Sequence, residues 1–239
     1  MRKILFNDKY GLTEAVLQGS KTMTRRICKE FGTGRIIYSN EVESMRMYSD
    51  ENLVEFVLKD GGVKVSVPPY KIGEVVAVAQ SYKDLGYTKK WVSQHIGPNP
   101  NAKRKDPFGK KYPGWNNKMF VPAELNKAHQ IRITDIKVER LQDISKQDCF
   151  NEGIIPITWR QYLEQDFDDF SPQKYIDHYV YTLEKFREGI EDGWAESDPN
   201  EYMAETADVA FAVLIIKTLG RKVWDANPYV FAYSFELVK

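Results

Sequence analysis

In the run YVFAYSFELV, Tyr229 to Val238, the residues Tyr229, Phe231, Tyr233, Phe235 and Leu237 occupy every second position. A period of two sustained over the whole run is that of a strand and of no helix, and it gives the strand one aromatic face. It reads as the closing strand of a sheet, and earlier segments supply its companions. Lys3 to Phe6 is a short apolar first strand. Leu53 to Val67 reads as a hairpin turned at Asp60-Gly61-Gly62 and ended by Pro68 and Pro69. Val75 to Ala79 is β-branched enough for an interior strand. Gln130 to Leu141 alternates through Ile131 and Ile133, loses phase at Thr134-Asp135 and resumes at Ile136 and Val138, the pattern of a β-bulge. Ile36 to Met47 has too weak a period to assign. Four or more bulged strands with short helices at their ends predict an α+β fold built on a small mixed barrel. At 239 residues and 42% hydrophobic, the chain can bury one sizeable core, so a single domain spanning 1–239 with large insertions is the economical organisation.

Between the first two strands lies LTEAVLQGSKTMTRR, Leu12 to Arg26. Leu12, Ala15 and Val16 share one helical face and Gly19 stops the helix. The residues after it predict an exposed loop crowded with Lys21, Thr22, Thr24, Arg25 and Arg26. A lysine beside a threonine can take the hydroxyl proton if burial lowers its pKa, and adjacent arginines can hold a phosphate or a planar polar group. A solvated basic loop after an ordinary helix is the plain alternative. Further on, Ser145-Lys146-Gln147-Asp148 resembles a capping box, with Ile144 and Cys149 spaced as a staple, and the helix must stop by Gly153. Glu152 then falls at a helix C-terminus, where the macrodipole disfavours a carboxylate by about 0.3–1 kcal/mol. A cationic partner across the fold would explain it, and Lys21 is the candidate; screening by water is the alternative.

The formal charge sums to zero but is unevenly spread. Positions 83–118 carry nine Lys/Arg against two Asp/Glu, whereas 160–205 carry four against thirteen. The basic stretch belongs to a loop-rich insertion at about 83–127, in which Lys103, Arg104, Lys105, Lys110 and Lys111 alternate with Trp91, Phe108, Tyr112, Trp115 and Phe120. Cations for phosphate and rings for bases make a flap over nucleic acid one reading; a loop whose aromatics cover the barrel is the other. The acidic stretch belongs to a helical insertion at about 156–220. Tyr175, His178, Tyr179, Thr182, Leu183 and Phe186 are spaced for one helix, and Asp208 to Leu219 for a second ended by Gly220. Trp224, before the loop Asp225-Ala226-Asn227-Pro228, is either a stacking platform or a core residue. Cys28, Cys149, His95, His129 and His178 show no ligand spacing, so neither a structural metal nor a cofactor is expected. No apolar run has the length of a signal peptide or a membrane span, which predicts a cytoplasmic protein with free thiols.

The order ILFN, a helix ending GSKTMTRR, YKIGEVVAV, ITDIKVERLQDISKQDCFNEGI and VWDANPYVFAYSFELV resembles the ASCH domain family in its long phage and prophage form. The resemblance covers the N-terminal arm, the middle of the chain and the last strand. It implies a PUA-like β-barrel with a cleft between the first helix and the barrel wall, and RNA or a modified nucleoside as partner. Small bacterial members similar at the same lysine, threonine and glutamate are amidohydrolases of N4-acetylcytidine, and others are ribonucleases. Carried over by position, the catalytic set is Lys21, Thr24 and Glu152. Thr22, Arg25, Arg26, Gln80, Trp224 and Asn227 are the candidate ligand contacts. The chain departs from the family where an arginine and a carboxylate usually follow the Gly-Asp turn: Ala79 and Gln80 stand there. Lys21 must be partly neutral to act as a base, and Glu152 opposes the effect of burial, so catalysis and binding alone are both open. A prophage accessory protein acting through protein contacts of its acidic helices is a third reading.

Overall fold

The computed structural model describes residues 1–48, 50, 52–95, 115–158, 179–183 and 204–238. Its strands are β1 (Lys3–Ile4), β2 (Met23–Ile27), β3 (Val42–Tyr48), β4 (Leu53–Leu58), β5 (Val63–Ser66), β6 (Val75–Val78), β7 (Gln130–Arg140), β8 (Ile154–Thr158), β9 (Tyr179–Leu183) and β10 (Tyr229–Val238). Its helices are α1 (Leu12–Leu17), α2 (Lys89–His95), α3 (Lys146–Asn151), α4 (Ala207–Leu219) and α5 (Arg221–Ala226). The protein is a mixed α+β fold.

The aromatic run forms β10, but as an interior strand and not as a closing one. The main sheet has the order β1-β6-β7-β10-β2, with β1 parallel to β6 and the other pairs antiparallel. Both edges of β10 are paired and its first five residues are all buried, because Val230 and Ala232 are small and apolar enough to be covered on the second face. Opposite β10, the register passes from Ser234↔Asp135 to Phe235↔Ile133, so Thr134 is the extra residue of a bulge. The predicted hairpin forms β4 and β5, and β3 joins them in a separate sheet. Among the described residues the strand order is open, and the barrel expected from the sequence is not seen to close. The two sheets are nonetheless stitched together beyond β2: Phe31 N–H donates to the Val65 carbonyl at 2.7 Å and Ser66 Oγ to the Lys29 carbonyl at 2.7 Å.

The helix predicted over Tyr175 to Phe186 is corrected by β9, which pairs with β8 from Ile154↔Leu183 to Thr158↔Tyr179. YVYTL is made of aromatic and β-branched residues, which suit a pleated surface better than a helix. Tyr175, His178 and Phe186 lie outside the described residues, as do Lys103, Arg104, Lys105, Phe108, Lys110, Lys111 and Tyr112 of the basic insertion. The loop expected at Asp225-Ala226 is the end of α5. Helix α4 buries Phe211, Leu214 and Ile215 and packs on α3 and β8. One large core joins the sheets to α1 and α4; a smaller one, Tyr82, Val92 and Val121, lies under α2. No helix among the described residues is long and apolar enough to cross a membrane.

Candidate functional site

The basic run after α1 is stitched into the fold from both sides. Gly19 turns the chain at φ 79°, and Lys21 N–H returns to the Ala15 carbonyl at 3.0 Å. Thr22 N–H donates to the Asn151 carbonyl at the end of α3, and its carbonyl accepts from Phe235 of β10, both at 2.9 Å. The chain then enters β2, so the exposed loop expected from the sequence is corrected: Lys21 is 1% exposed, Thr24 4% and Arg25 8%. Strand pairing satisfies the backbone of this segment, which is what permits its polar side chains to be buried.

Buried charges must be paired, and here they are. Glu152, the C-cap residue of α3, accepts from Lys21 Nζ through Oε2 and from Arg25 Nη1 through Oε1 at 2.9 Å. Lys21 Nζ also donates to the Glu152 backbone carbonyl at 2.8 Å, one of the acceptors a helix end leaves over. Arg25 Nη2 reaches Glu139 of β7 at 2.5 Å and Asp148 of α3 at 3.2 Å. Lys137 closes the set against Glu139, at 3.2 Å, and Asp148. Gly153 follows at φ 98°, and a Cβ there would lie 3.6 Å from that of Lys21. Lys21, Arg25 and Lys137 thus balance Glu139, Asp148 and Glu152.

Arg26 stands outside that balance. Its Nη2 donates to the Leu5 carbonyl at 2.7 Å and its guanidinium lies 5.8 Å from the Phe6 ring centre. Among the described residues it has no carboxylate within ion-pair distance. Burial lowers the pKa of Lys21, with Glu152 pulling the other way, and burial lowers that of Arg26 as well. For Arg25 burial also acts downward, but Glu152 and Glu139 outweigh it and the pKa is raised.

Lys21, Thr24, Arg25, Arg26 and Glu152 form the floor of a cleft of about 570 Å³. One wall is the segment after β1, with Phe6; the other is the apolar face of α4, with Phe211 and Leu214. Lys118 stands at the rim, bonded to Asp8 at 2.7 Å, to Thr13 at 3.0 Å and to the Phe6 carbonyl. The Thr24 hydroxyl makes no hydrogen bond to another described residue, and none joins it to Lys21. The floor therefore offers a hydroxyl, a guanidinium and a held lysine to a ligand with a planar apolar part.

Four of the residues singled out from the sequence do not join the cleft. Thr22 is exposed and contributes its backbone. Gln80 is buried elsewhere, its N–H bonded to Asn126 Oδ1 at 3.0 Å. Trp224, on α5, packs edge-on to Phe211 with ring centres 6.4 Å apart. Asn227 adopts φ 42° to end α5, and its Oδ1 accepts from Gln142 N–H at 2.9 Å. Conversely, sequence reasoning passed over Glu139, Lys137 and the cleft role of Phe6, Phe211 and Lys118. Asp148 had shown itself only as a capping residue. Against family models, curated proteins and solved structures alike, the chain finds no match.

Proposed function

We propose that this chain is an ASCH-like protein whose cleft binds a nucleoside unit, free or within RNA. The observation that carries the reading is the junction at the cleft floor. There Glu152 fixes Lys21 and Arg25 together, while Thr24 and Arg26 are left with polar capacity to spare. Phe6 and the apolar face of α4 suit the flat faces of a base, and Arg26 suits a phosphate oxygen because no carboxylate among the described residues lies within ion-pair distance of it. The bonds that tie the three-stranded sheet to the continuation of β2 support a PUA-like arrangement of the sheets around this site. Calorimetric titration with cytidine and with cytidine monophosphate tests the reading. A charge-assisted contact contributes about 1.5–3 kcal/mol, so Arg26→Ala should weaken the monophosphate by about tenfold or more and cytidine far less. Uptake of neither compound, nor of RNA, by the wild type would overturn it.

A second reading, hydrolysis of an acylated nucleoside such as N4-acetylcytidine, is favoured by the lowered pKa of Lys21 beside an unengaged Thr24. Thr24 Oγ1 would attack the amide carbonyl as Lys21 takes its proton. Collapse of the tetrahedral intermediate would break the C–N bond, with the proton returned to the leaving amine, and water would then release acetate from the threonine ester. Glu152 occupies two of the three bonding positions on Lys21 Nζ, so it fixes the amine while leaving one position for the proton in transit. Acetate release from N4-acetylcytidine is the assay: Thr24→Ala should abolish it, and no turnover by the wild type removes this reading.

A further inference from the structure

The wall of the cleft that carries Phe6 is held by little strand pairing. β1 pairs with β6 over two residues, Lys3↔Ala77 and Ile4↔Val78, and the chain leaves the strand at Leu5. Past that point side chains take up its carbonyls: Arg26 Nη2 on the floor reaches that of Leu5 at 2.7 Å, and Lys118 Nζ at the rim reaches that of Phe6. Lys118 Nζ also donates to Asp8 Oδ1 at 2.7 Å and to Thr13 Oγ1 at 3.0 Å, so all three of its protons are directed at the segment running from Phe6 into α1. The contact is reciprocal. Lys3 of β1, half-buried, donates to the carbonyls of Lys118 at 2.9 Å, Met119 at 2.7 Å and Val121 at 2.7 Å, the turn from which Lys118 projects. That turn is anchored away from the cleft. Val121 is fully buried in the smaller core, and Trp115 upstream donates its indole N–H to the Tyr87 carbonyl at 2.6 Å while Lys83 and Lys89 approach its ring at 5.9 Å and 4.9 Å.

We infer that Lys118 is a positioning residue of the cleft: through the Phe6 carbonyl it sets the wall on which the flat part of the ligand packs, and Lys3 acts through it by holding the turn that carries it. Fixing that carbonyl fixes the backbone from which the Phe6 ring projects, and the ring is backed by Phe235 with centres 5.9 Å apart. A wall ordered before the ligand arrives does not have to be ordered by it, so more of the contact energy appears as affinity. The two cations of this wall then have different duties. Arg26 serves the phosphate, whereas Lys118, engaged by the protein's own acceptors, serves the base and so acts on nucleoside and nucleotide alike. The inference rests on the cleft reading for the nature of the ligand.

Titration calorimetry with cytidine and with cytidine monophosphate is the first arm of the test. Lys118→Met should weaken both by about tenfold and leave the ratio of the two affinities as in the wild type. A direct phosphate contact would instead spare cytidine, and a purely structural role would lower the melting temperature with both affinities intact; either result overturns the proposal. Lys3→Met should weaken both compounds by less, and adding it to Lys118→Met should bring no further loss, because its effect passes through Lys118. Independent losses overturn that order of action. The Asp8 side chain is 58% exposed, so Asp8→Ala, which removes one of the three acceptors, gives a readout even if Lys118→Met fails to fold. Its expected loss is about two- to threefold for both compounds. The second arm uses no ligand. The amides of Lys9, Tyr10 and Leu12 all donate to Asn7, and their hydrogen exchange should quicken in Lys118→Met; unchanged exchange overturns the inference. The two readings fail distinguishably. A wild type that takes up neither compound removes both, whereas uptake by the wild type that Lys118→Met matches leaves the cleft standing and removes the role of Lys118.

Discussion

The cleft floor and the α2 face both set cations beside aromatic rings, and they do so under opposite constraints. In the floor, Lys21 and Arg25 are shut away from water, so each must be matched by a carboxylate, and among the described residues there only Arg26 is left over. Beside and at the start of α2, Lys83 and Lys89 are exposed, where a cation over a ring is worth about 0.5–1 kcal/mol and salt screens the charge. The floor can hold essentially one arrangement of charge, whereas the exposed lysines beside α2 are under no such constraint. Burying a matched pair adds little net stability, because desolvation offsets the attraction, but breaking one exposes the whole cost.

The sharpest way to break the comparison is to remove a partner from each side. Arg25→Met leaves Glu139, Asp148 and Glu152 without the guanidinium that joins them. Its expected cost is about 3–5 kcal/mol of unfolding free energy in urea titration. Part of that loss should return as pH falls and the stranded carboxylates take up protons. Lys83→Glu should move the same midpoint by less than about 0.5 kcal/mol. Comparable losses in the two variants would mean that the floor is open to water in solution.

A smaller effect reads the floor through pH. Burial holds the folded pKa of Lys21 below its ordinary value of 10.5, so between those two points the unfolded chain binds the proton more. Stability contributed through this group therefore rises with pH across that window, and the penalty for the buried ammonium is complete below it. Burial of Cys28, Cys149 and Tyr233 raises their pKa values and gives the opposite slope at alkaline pH. These groups are common to wild type and Lys21→Met, so the difference between the two stability curves isolates the lysine. The wild type should gain on the variant as pH approaches 10.5. A difference independent of pH would show that Glu152 cancels the effect of burial.

Much of this was legible in the sequence where a pattern is local. The period of β10, the turn of the β4–β5 hairpin, the bulge at Thr134 and the Ser145 cap are all written in neighbouring residues. The unfavourable position of Glu152 at a helix end even pointed to Lys21, because a local misfit implies a distant remedy. What could not be read was where the basic run would sit. Met23 to Ile27 follows a glycine stop and carries two adjacent arginines, and only pairing with β10 makes it a strand whose Arg25 faces carboxylates from β7 and α3. At β9 the helical spacing competed with the aromatic and β-branched residues of YVYTL, and pairing with β8 is what makes that segment a strand. Trp224 and Asn227 looked like ligand contacts because aromatic and amide side chains near a strand mouth serve either purpose. Packing on Phe211 and the left-handed turn after α5 take both.

The smallest expected effect compares one glycine from each region. Gly153 and Gly86 have φ of 98° and 81°, a range that disfavours an L side chain by about 1–2 kcal/mol. A methyl group at Gly86 would meet nothing within 4 Å, whereas at Gly153 it would touch the Lys21 side chain at 3.6–3.9 Å, ordinary contact distances. The alanine variants should therefore lose similar stability, all of it backbone strain, and Gly153→Ala should still bind cytidine monophosphate. If Gly153→Ala instead loses several kcal/mol more than Gly86→Ala, or loses the ligand, then Lys21 has no slack against the turn. The rigidity of the floor would in that case come from close packing around the lysine stem as much as from the carboxylate that holds its amine.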